Sequence, residues 1–313
     1  MKKLIYVLIT FFEILSFSFG MEFNGELNNI FVLEEMKNEK LINQVKLSAN
    51  VSNDDILSKI TLEGNTGTNE VILYEGYVES YKKNFVLTLG KQRLTWGLGY
   101  LFNPANNYFA VINPEDPKVE VEGINSMKLR YNIGELSRLE GIVFENKVKD
   151  KEIDYGLRYT TIFNEWEVMI DYFKKDNNFI LETKGNLGIG IWGIWTSQDN
   201  NIVIGEDYSF EIWDRSLYIM NENMYIKAEE KWIDYISYSY QWDEVLGFSQ
   251  ILTYYPNQKS YYINNSINYL INDYMDINFS YNIMNEDFKN IAKQMLGKEL
   301  SLEELKIEVS TYF

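Results

Sequence analysis

Residues 275–282 read Met-Asp-Ile-Asn-Phe-Ser-Tyr-Asn. In an extended chain Met275, Ile277, Phe279 and Tyr281 fall on one side and Asp276, Asn278, Ser280 and Asn282 on the other, which is the period-two pattern of a strand with one apolar and one polar face. The same alternation recurs upstream. Tyr155, Leu157 and Tyr159 oppose Gly156, Arg158 and Thr160, while Trp166, Val168, Ile170 and Tyr172 oppose Glu167, Met169 and Asp171. From residue 21 onward the chain is a succession of such segments, rich in Tyr, Phe, Trp, Ile and Val and closed by Asn, Asp, Gly, Lys or Glu. The fold class is therefore all-β. Alternation alone fits a two-sheet sandwich as well as a closed barrel.

Composition narrows the function classes. With 46% hydrophobic and 24% charged residues over 313 positions, the chain is neither disordered nor a helical membrane protein. Beyond residue 20 no apolar run approaches the ~20 residues a spanning helix needs. The sequence holds neither His nor Cys, which removes imidazole catalysis, thiol nucleophiles, the usual zinc and iron–sulfur sites, and disulfides. Lys and Arg number 29 against 46 Asp and Glu, and a net charge of −17 argues against a nucleic-acid partner. No nucleotide fingerprint or EF-hand spacing is present, so no cofactor and no metal is expected; Gly188-Ile189-Gly190 reads as strand packing.

Lys2 and Lys3 precede the apolar run Leu4 to Phe12, and Ser18-Phe19-Gly20 sets small residues three and one positions before a cut. Residues 1–20 read as a secretory signal peptide and 21–313 as one domain, with a retained anchor helix as the alternative. A leader, strand segments running on without a domain break and an aromatic content of 16%, suited to girdles at two membrane interfaces, together shift the reading from sandwich to barrel.

Two stretches carry a resemblance. At the end of the chain Leu305, Ile307, Val309 and Phe313 alternate with Lys306, Glu308, Ser310 and Tyr312, Thr311 departing from the pattern. This resembles the closing strand of bacterial outer-membrane barrels, and the resemblance implies that Phe313 is read by the barrel-assembly machinery. Gly90-Lys91-Gln92-Arg93-Leu94-Thr95-Trp96-Gly97, followed by Phe102-Asn103-Pro104 and flanked by Val71 to Tyr81 and Phe85 to Leu89, resembles a pattern of porin-like and alginate-export-like outer-membrane barrels of Gram-negative bacteria. In that family a strand carries the basic and Trp residues and a long loop follows. The alternative reading is that Gly90 and Gly97 permit a bulge or close strand contact, with Trp96 in the interface girdle.

The resemblance implies both termini in the periplasm, hence an even strand number. Upward strands starting near 27, 55, 85, 136, 166, 187, 216, 244 and 273 and downward strands near 40, 70, 123, 152, 178, 202, 232, 260 and 305 make a transmembrane antiparallel β-barrel of about 18 strands, with 16 as the alternative if residues 216–230 are counted differently. Lys83-Asn84, Gly134-Glu135, Asn164-Glu165 and Asn272-Asp273 then lie on the periplasmic side. Two long connections face outward. Residues 103–122 hold three of the four prolines, and 286–304 carry Phe288, Ile291, Ala292, Met295 and Leu296 at helical spacing, a short amphipathic helix. Each either folds into the lumen or stays at the surface.

The expected function is a non-enzymatic outer-membrane channel, porin-like, for passive diffusion of small hydrophilic solutes. A polysaccharide-export barrel, or a structural or adhesive barrel, is the alternative. Outer-membrane lipid is the expected surrounding, and the oligomeric state is open. If Met127, Leu129 and Tyr131 face lipid, Lys128 and Arg130 face the lumen, as do Arg138 and Arg158 on the next two strands. Lys91 and Arg93 share parity with Leu87 and Leu89 and join that basic stripe only through a bulge. Glu115, Asp116, Glu120 and Glu122 of the long loop would oppose it across a narrowed pore if the loop folds inward. Otherwise these charges hydrate a wide lumen and pair with Glu140 and Glu167.

Overall fold

In the computed structural model the described residues are 22–34, 38–52, 55–66, 70–105, 108–109, 122–145, 152–296 and 301–313. Residues 1–20, read above as a signal peptide, and the loop acids Glu115, Asp116 and Glu120 lie outside them. The chain runs through β1 (Glu22–Glu34), β2 (Asn38–Ser52), β3 (Ile56–Asn65), β4 (Glu70–Lys82), β5 (Phe85–Gln92) and β6 (Ile124–Ile133). It continues through β7 (Ser137–Glu145), β8 (Ile153–Phe163), β9 (Trp166–Phe173), β10 (Asn178–Asn186), β11 (Gly190–Thr196) and β12 (Ile202–Ile212). β13 (Arg215–Ile226), β14 (Lys231–Gln241), β15 (Leu246–Tyr255), β16 (Ser260–Asn272) and β17 (Met275–Met284) follow, then helix α1 (Glu286–Leu296) and β18 (Glu303–Tyr312). Residues 215–226 form a single strand, so the count is eighteen.

Each strand pairs antiparallel with its sequence neighbours, and β1 pairs with β18 from Glu26↔Tyr312 to Glu34↔Glu304, so the sheet closes on itself. Closure satisfies the backbone donors and acceptors that an open edge would leave unpaired. The sequence alternation sets which face looks where. On β6 Met127, Leu129 and Tyr131 are outward and exposed, with Lys128 and Arg130 inward between them. Outward on β8 are Tyr155, Leu157 and Tyr159; inward are Asp154, Gly156, Arg158 and Thr160, all buried.

The two ends differ. At the end where β1 begins and β18 finishes, neighbouring strands meet through tight turns. Asn164-Glu165 and Trp213-Asp214 have positive φ at both residues (47° and 67°; 51° and 60°), the geometry of hairpin turns whose twist matches the strands they join. The long connections sit at the opposite end. Asn285 caps α1 there, its side-chain oxygen accepting the Phe288 N–H at 3.1 Å, and Glu286 and Asp287 complement the helix dipole. Phe288 is buried against Tyr255, Tyr262 and Met284 on the inner wall, so the helix folds inward.

Candidate functional site: the barrel interior

The chain leaves β5 at Gln92 and turns into the barrel. Leu94, Trp96, Leu101, Ala105, Tyr108 and Phe109, which would be solvent-exposed in a surface loop, are buried against inward residues of β6 to β15. Trp96 meets Phe109 edge-on at 5.6 Å and Phe173 at 5.7 Å, and Tyr108 stacks on Phe173 at 3.8 Å. Trp96 therefore belongs to the interior rather than to an interface girdle. Phe102 packs against all three interior clusters, including the one that seats α1. Burial pushes the Tyr108 phenol above its ordinary range, and Asn178 donates to its oxygen at 3.1 Å.

Glycine makes the turn feasible. Gly97 has φ +101°, and a Cβ there would lie 1.8 Å from Asn103 Oδ1. Gly90 has φ +124° where β5 presses on β4, and a Cβ would stand 2.3 Å from the Gly76 carbonyl oxygen.

An apolar loop still carries backbone polar groups that must be satisfied inside. Two wall carboxylates do this. Glu222 on β13 accepts the N–H groups of Tyr100, Leu101 and Phe102 at 2.8–2.9 Å and Trp192 Nε1 at 2.8 Å. Glu182 on β10 accepts the Leu98 N–H. Glu182 and Asp171 also flank Arg158, whose Nε lies 2.6 Å from Asp171 Oδ1 and whose Nη2 lies 2.7 Å from Glu182 Oε1. The Trp96 ring covers that guanidinium at 4.9 Å. Arg158 is only 4% exposed, so it faces inward but lies beneath the loop as part of its seat.

The remaining basic residues divide by position. Lys128 and Arg130 face the interior, half-buried, across from Glu79 of β4. Arg138 reaches Glu140 and Glu167 at 3.7 Å each, the pairing expected of charges that hydrate a lumen. Lys91 does not join them. The β5–β6 register runs unbroken through Gly90↔Ser126, Lys91↔Asn125 and Gln92↔Ile124, so Lys91 keeps the outward parity of Leu87 and Leu89 and pairs with Glu122. Arg93, just past the strand, does turn in: its Nε lies 2.9 Å from Glu75 Oε1, and Lys59 Nζ holds the other oxygen at 2.7 Å. A bulge at Tyr74, between Thr61↔Glu75 and Leu62↔Leu73, switches the parity of β4 and brings Glu75 inside.

The described loop residues pack on the β6 to β15 side of the interior. On β15 to β18 and β1 to β3 inward residues such as Ser249, Asn264, Ser266, Asn278, Ser280, Lys306, Glu308, Gln44 and Ser48 stay half-exposed, whereas the inward residues of β8 to β13 that face the loop, among them Arg158, Asp171, Phe173, Glu182, Ile194, Met220 and Glu222, are buried. The open side is polar, with Ser249 and Ser266 hydroxyls 2.6 Å apart and Ser48 and Thr61 hydroxyls 3.0 Å apart. The sequence reading had not singled out Glu182, Glu222, Asp171 or Trp192. Their signal was an acidic or indole side chain on the inward parity of an otherwise apolar strand, without any mark of what it would meet.

No family model matches the chain, and no curated protein matches it in sequence. Solved structures match it in fold. Pseudomonas aeruginosa OccK3 has a TM-score of 0.63 at 9% identity, over 94% of this chain and 95% of that one. Pseudomonas aeruginosa OccK2 in complex with glucuronate gives 0.64 at 8% identity, over 94% and 96%. A mutant of the Rh. blastica porin gives 0.55 at 8%, over 94% and 100%. The fold is that of the porins.

Proposed function

We propose that the protein is a passive outer-membrane channel for small hydrophilic solutes, its path running along the polar wall of β15 to β18 and β1 to β3 beside the inward loop. The observation that carries this reading is the split interior: one side filled by a seated apolar loop, the other lined by half-exposed Ser, Asn, Lys and Glu. The outward face suits lipid, with Met127, Leu129, Leu157, Ile170 and Leu181 among its exposed apolar residues. A loop and a helix that both fold inward narrow the passage, which favours small solutes over an exported polymer. Glucuronate in OccK2 is a solute of that size class. The channel works without a chemical step or a cofactor.

In this reading residues 1–20 direct export and are removed, residues 21–313 form the barrel, and Phe313 engages the assembly machinery. Lys128, Arg130, Arg138 and Arg93 face the path from the β5 to β7 wall, with Glu75 and Glu140 as their counter-charges. Protein reconstituted in planar bilayers should give discrete conductance steps with no added cofactor. Folded protein that inserts and yields no conductance above background would overturn the proposal.

A further inference from the structure

The carboxylates that seat the loop each meet a donor or a cation. Glu222 and Glu182 hold loop N–H groups, and Asp171 holds Arg158. Asp154, the inward residue at the loop end of β8, differs. It is 2% exposed, and its Oδ1 accepts the N–H groups of Tyr155 at 2.8 Å and Lys175 at 3.1 Å. Its Oδ2 is buried as well and has no hydrogen-bond partner, the one buried carboxylate oxygen among the described residues of which this holds. The Lys175 ammonium is engaged elsewhere, 2.6 Å from Glu152 Oε2. A carboxylate oxygen taken out of water with neither donor nor cation keeps the desolvation cost of its charge. Buried Phe144, the cross-strand partner of Asp154, offers nothing to offset it.

A second carboxylate stands beside it. The Lys175 N–H bond sets Asp154 against the turn at 174–177, and the next residue of that turn is half-buried Asp176. Both carboxylates converge on the Tyr108 hydroxyl. Burial above all, then the charges of Asp176 and Asp154, hold that phenol above its ordinary range, and its oxygen is within hydrogen-bonding reach of Asp176. Asn178 fixes the phenol from another side, donating at 3.1 Å, while its own carbonyl oxygen is taken by Ser197 and Gln198. Strand β8, the 174–177 turn and the inward loop thus bring two carboxylates and a phenol oxygen together at the loop end of the barrel. Oxygen ligands carrying two negative charges suit a hard cation. Magnesium demands a near-ideal octahedron, whereas calcium takes about six to eight oxygens in flexible geometry and completes its shell with water.

We propose that Asp154 Oδ2 and the Asp176 carboxylate, bordered by the Tyr108 hydroxyl, bind a calcium ion that ties the inward loop to the β8–β10 wall. A site with two carboxylates belongs with the weak extracellular calcium modules, which bind at roughly 10⁻⁴ to 10⁻³ M. The proposal concerns binding at the loop end and does not rest on conduction, so bilayer conductance and this site fail independently.

Terbium, an oxygen-seeking stand-in for calcium whose luminescence a neighbouring tyrosine sensitises, gives the test, with Tyr108 as the sensitiser. Full-length barrel purified in detergent and stripped with EDTA is titrated with terbium and then with calcium. The parent is compared with Asp154→Asn, Asp176→Asn and, as a control, Asp214→Asn in a turn at the opposite end. Each substitution keeps the side chain's size and one acceptor oxygen and removes a charge. The expected result is a terbium signal that calcium displaces in the parent and in Asp214→Asn, with calcium binding at least about tenfold weaker in Asp154→Asn and in Asp176→Asn. Asp176→Asn changes a half-buried turn residue and decides the matter if Asp154→Asn does not fold. Absence of a calcium-displaceable signal in the parent would overturn the proposal, as would equal displacement by magnesium. So would parental calcium affinity in either folded variant, which would assign the metal to other acidic groups of this chain.

Discussion

Glu222 carries an unusual share of the interior. Three successive loop N–H groups and one indole N–H converge on its carboxylate, so removing it strands donors that water replaces poorly in a packed interior. At ~1–3 kcal/mol per stranded group, Glu222→Ala should release residues 98–102 from the wall. The expected readout is a larger and noisier single-channel conductance, with Glu222→Gln, which keeps one acceptor oxygen, falling between. Arg158 and Arg130 separate along the same line. Arg158→Ala leaves Asp171 and Glu182 buried beside one another without their cation, at ~3–5 kcal/mol, and should lower the urea midpoint of unfolding. Arg130→Ala should leave that midpoint almost unchanged and shift the reversal potential in a salt gradient toward cation selectivity. No shift in Arg130→Ala would place the narrow point elsewhere on the wall.

At the scale of elements, strand identity was legible in residue order because each strand satisfies the same constraint twice, apolar outside and polar or small inside. The count of eighteen and the tight turns followed from it. The path of residues 93–109 was not legible to the same degree. Arg93 to Phe109 mixes Trp, Tyr, Phe and Leu with glycine and proline, a composition that suits a loop seated inside as well as one lying on the surface. What decides is the pair of carboxylates on β10 and β13, more than 80 residues away, which no local pattern connects to the loop. Arg158 shows the same limit. Parity placed it inside, yet whether it lines water or lies beneath a tryptophan depends on the loop. Helix α1 was readable from its spacing, but its direction depends on Phe288 meeting Tyr255 and Tyr262. Phe288→Ala should remove ~3–5 kcal/mol of packing, enough to undock the helix without opening the sheet. Trypsin would then cut at Lys289 and Lys293 in folded protein faster than in the parent. Equal cutting rates would mean that the helix is held by something other than Phe288.

For the whole molecule the decisive contact is the one between its ends. Seventeen of the strand pairings join sequence neighbours and form locally, but β1–β18 brings together residues nearly the whole chain apart, so the sheet keeps two open edges until it forms. The seam extends one residue past β18. Gly25 N–H donates to the Phe313 carbonyl at 2.7 Å, and Phe313 N–H donates to the Gly25 carbonyl at 3.0 Å. The Phe313 ring lies over Gly25, where a Cβ would fall 2.2 Å from ring carbons. The terminal phenylalanine thus has a structural task, latching the closed sheet, apart from any reading of it by assembly factors. The two roles separate experimentally. Gly25→Val keeps the Phe313 signal intact but displaces its ring from the seam, whereas Phe313→Ala removes both. If latching matters, purified Gly25→Val refolded into lipid vesicles should yield less of the heat-modifiable form than the parent, and Phe313→Ala should fall by a similar factor. Should both variants refold like the parent in vesicles while Phe313→Ala alone fails to accumulate in cells, the residue would act on assembly only, and closure would rest on the β1–β18 hydrogen bonds without the ring.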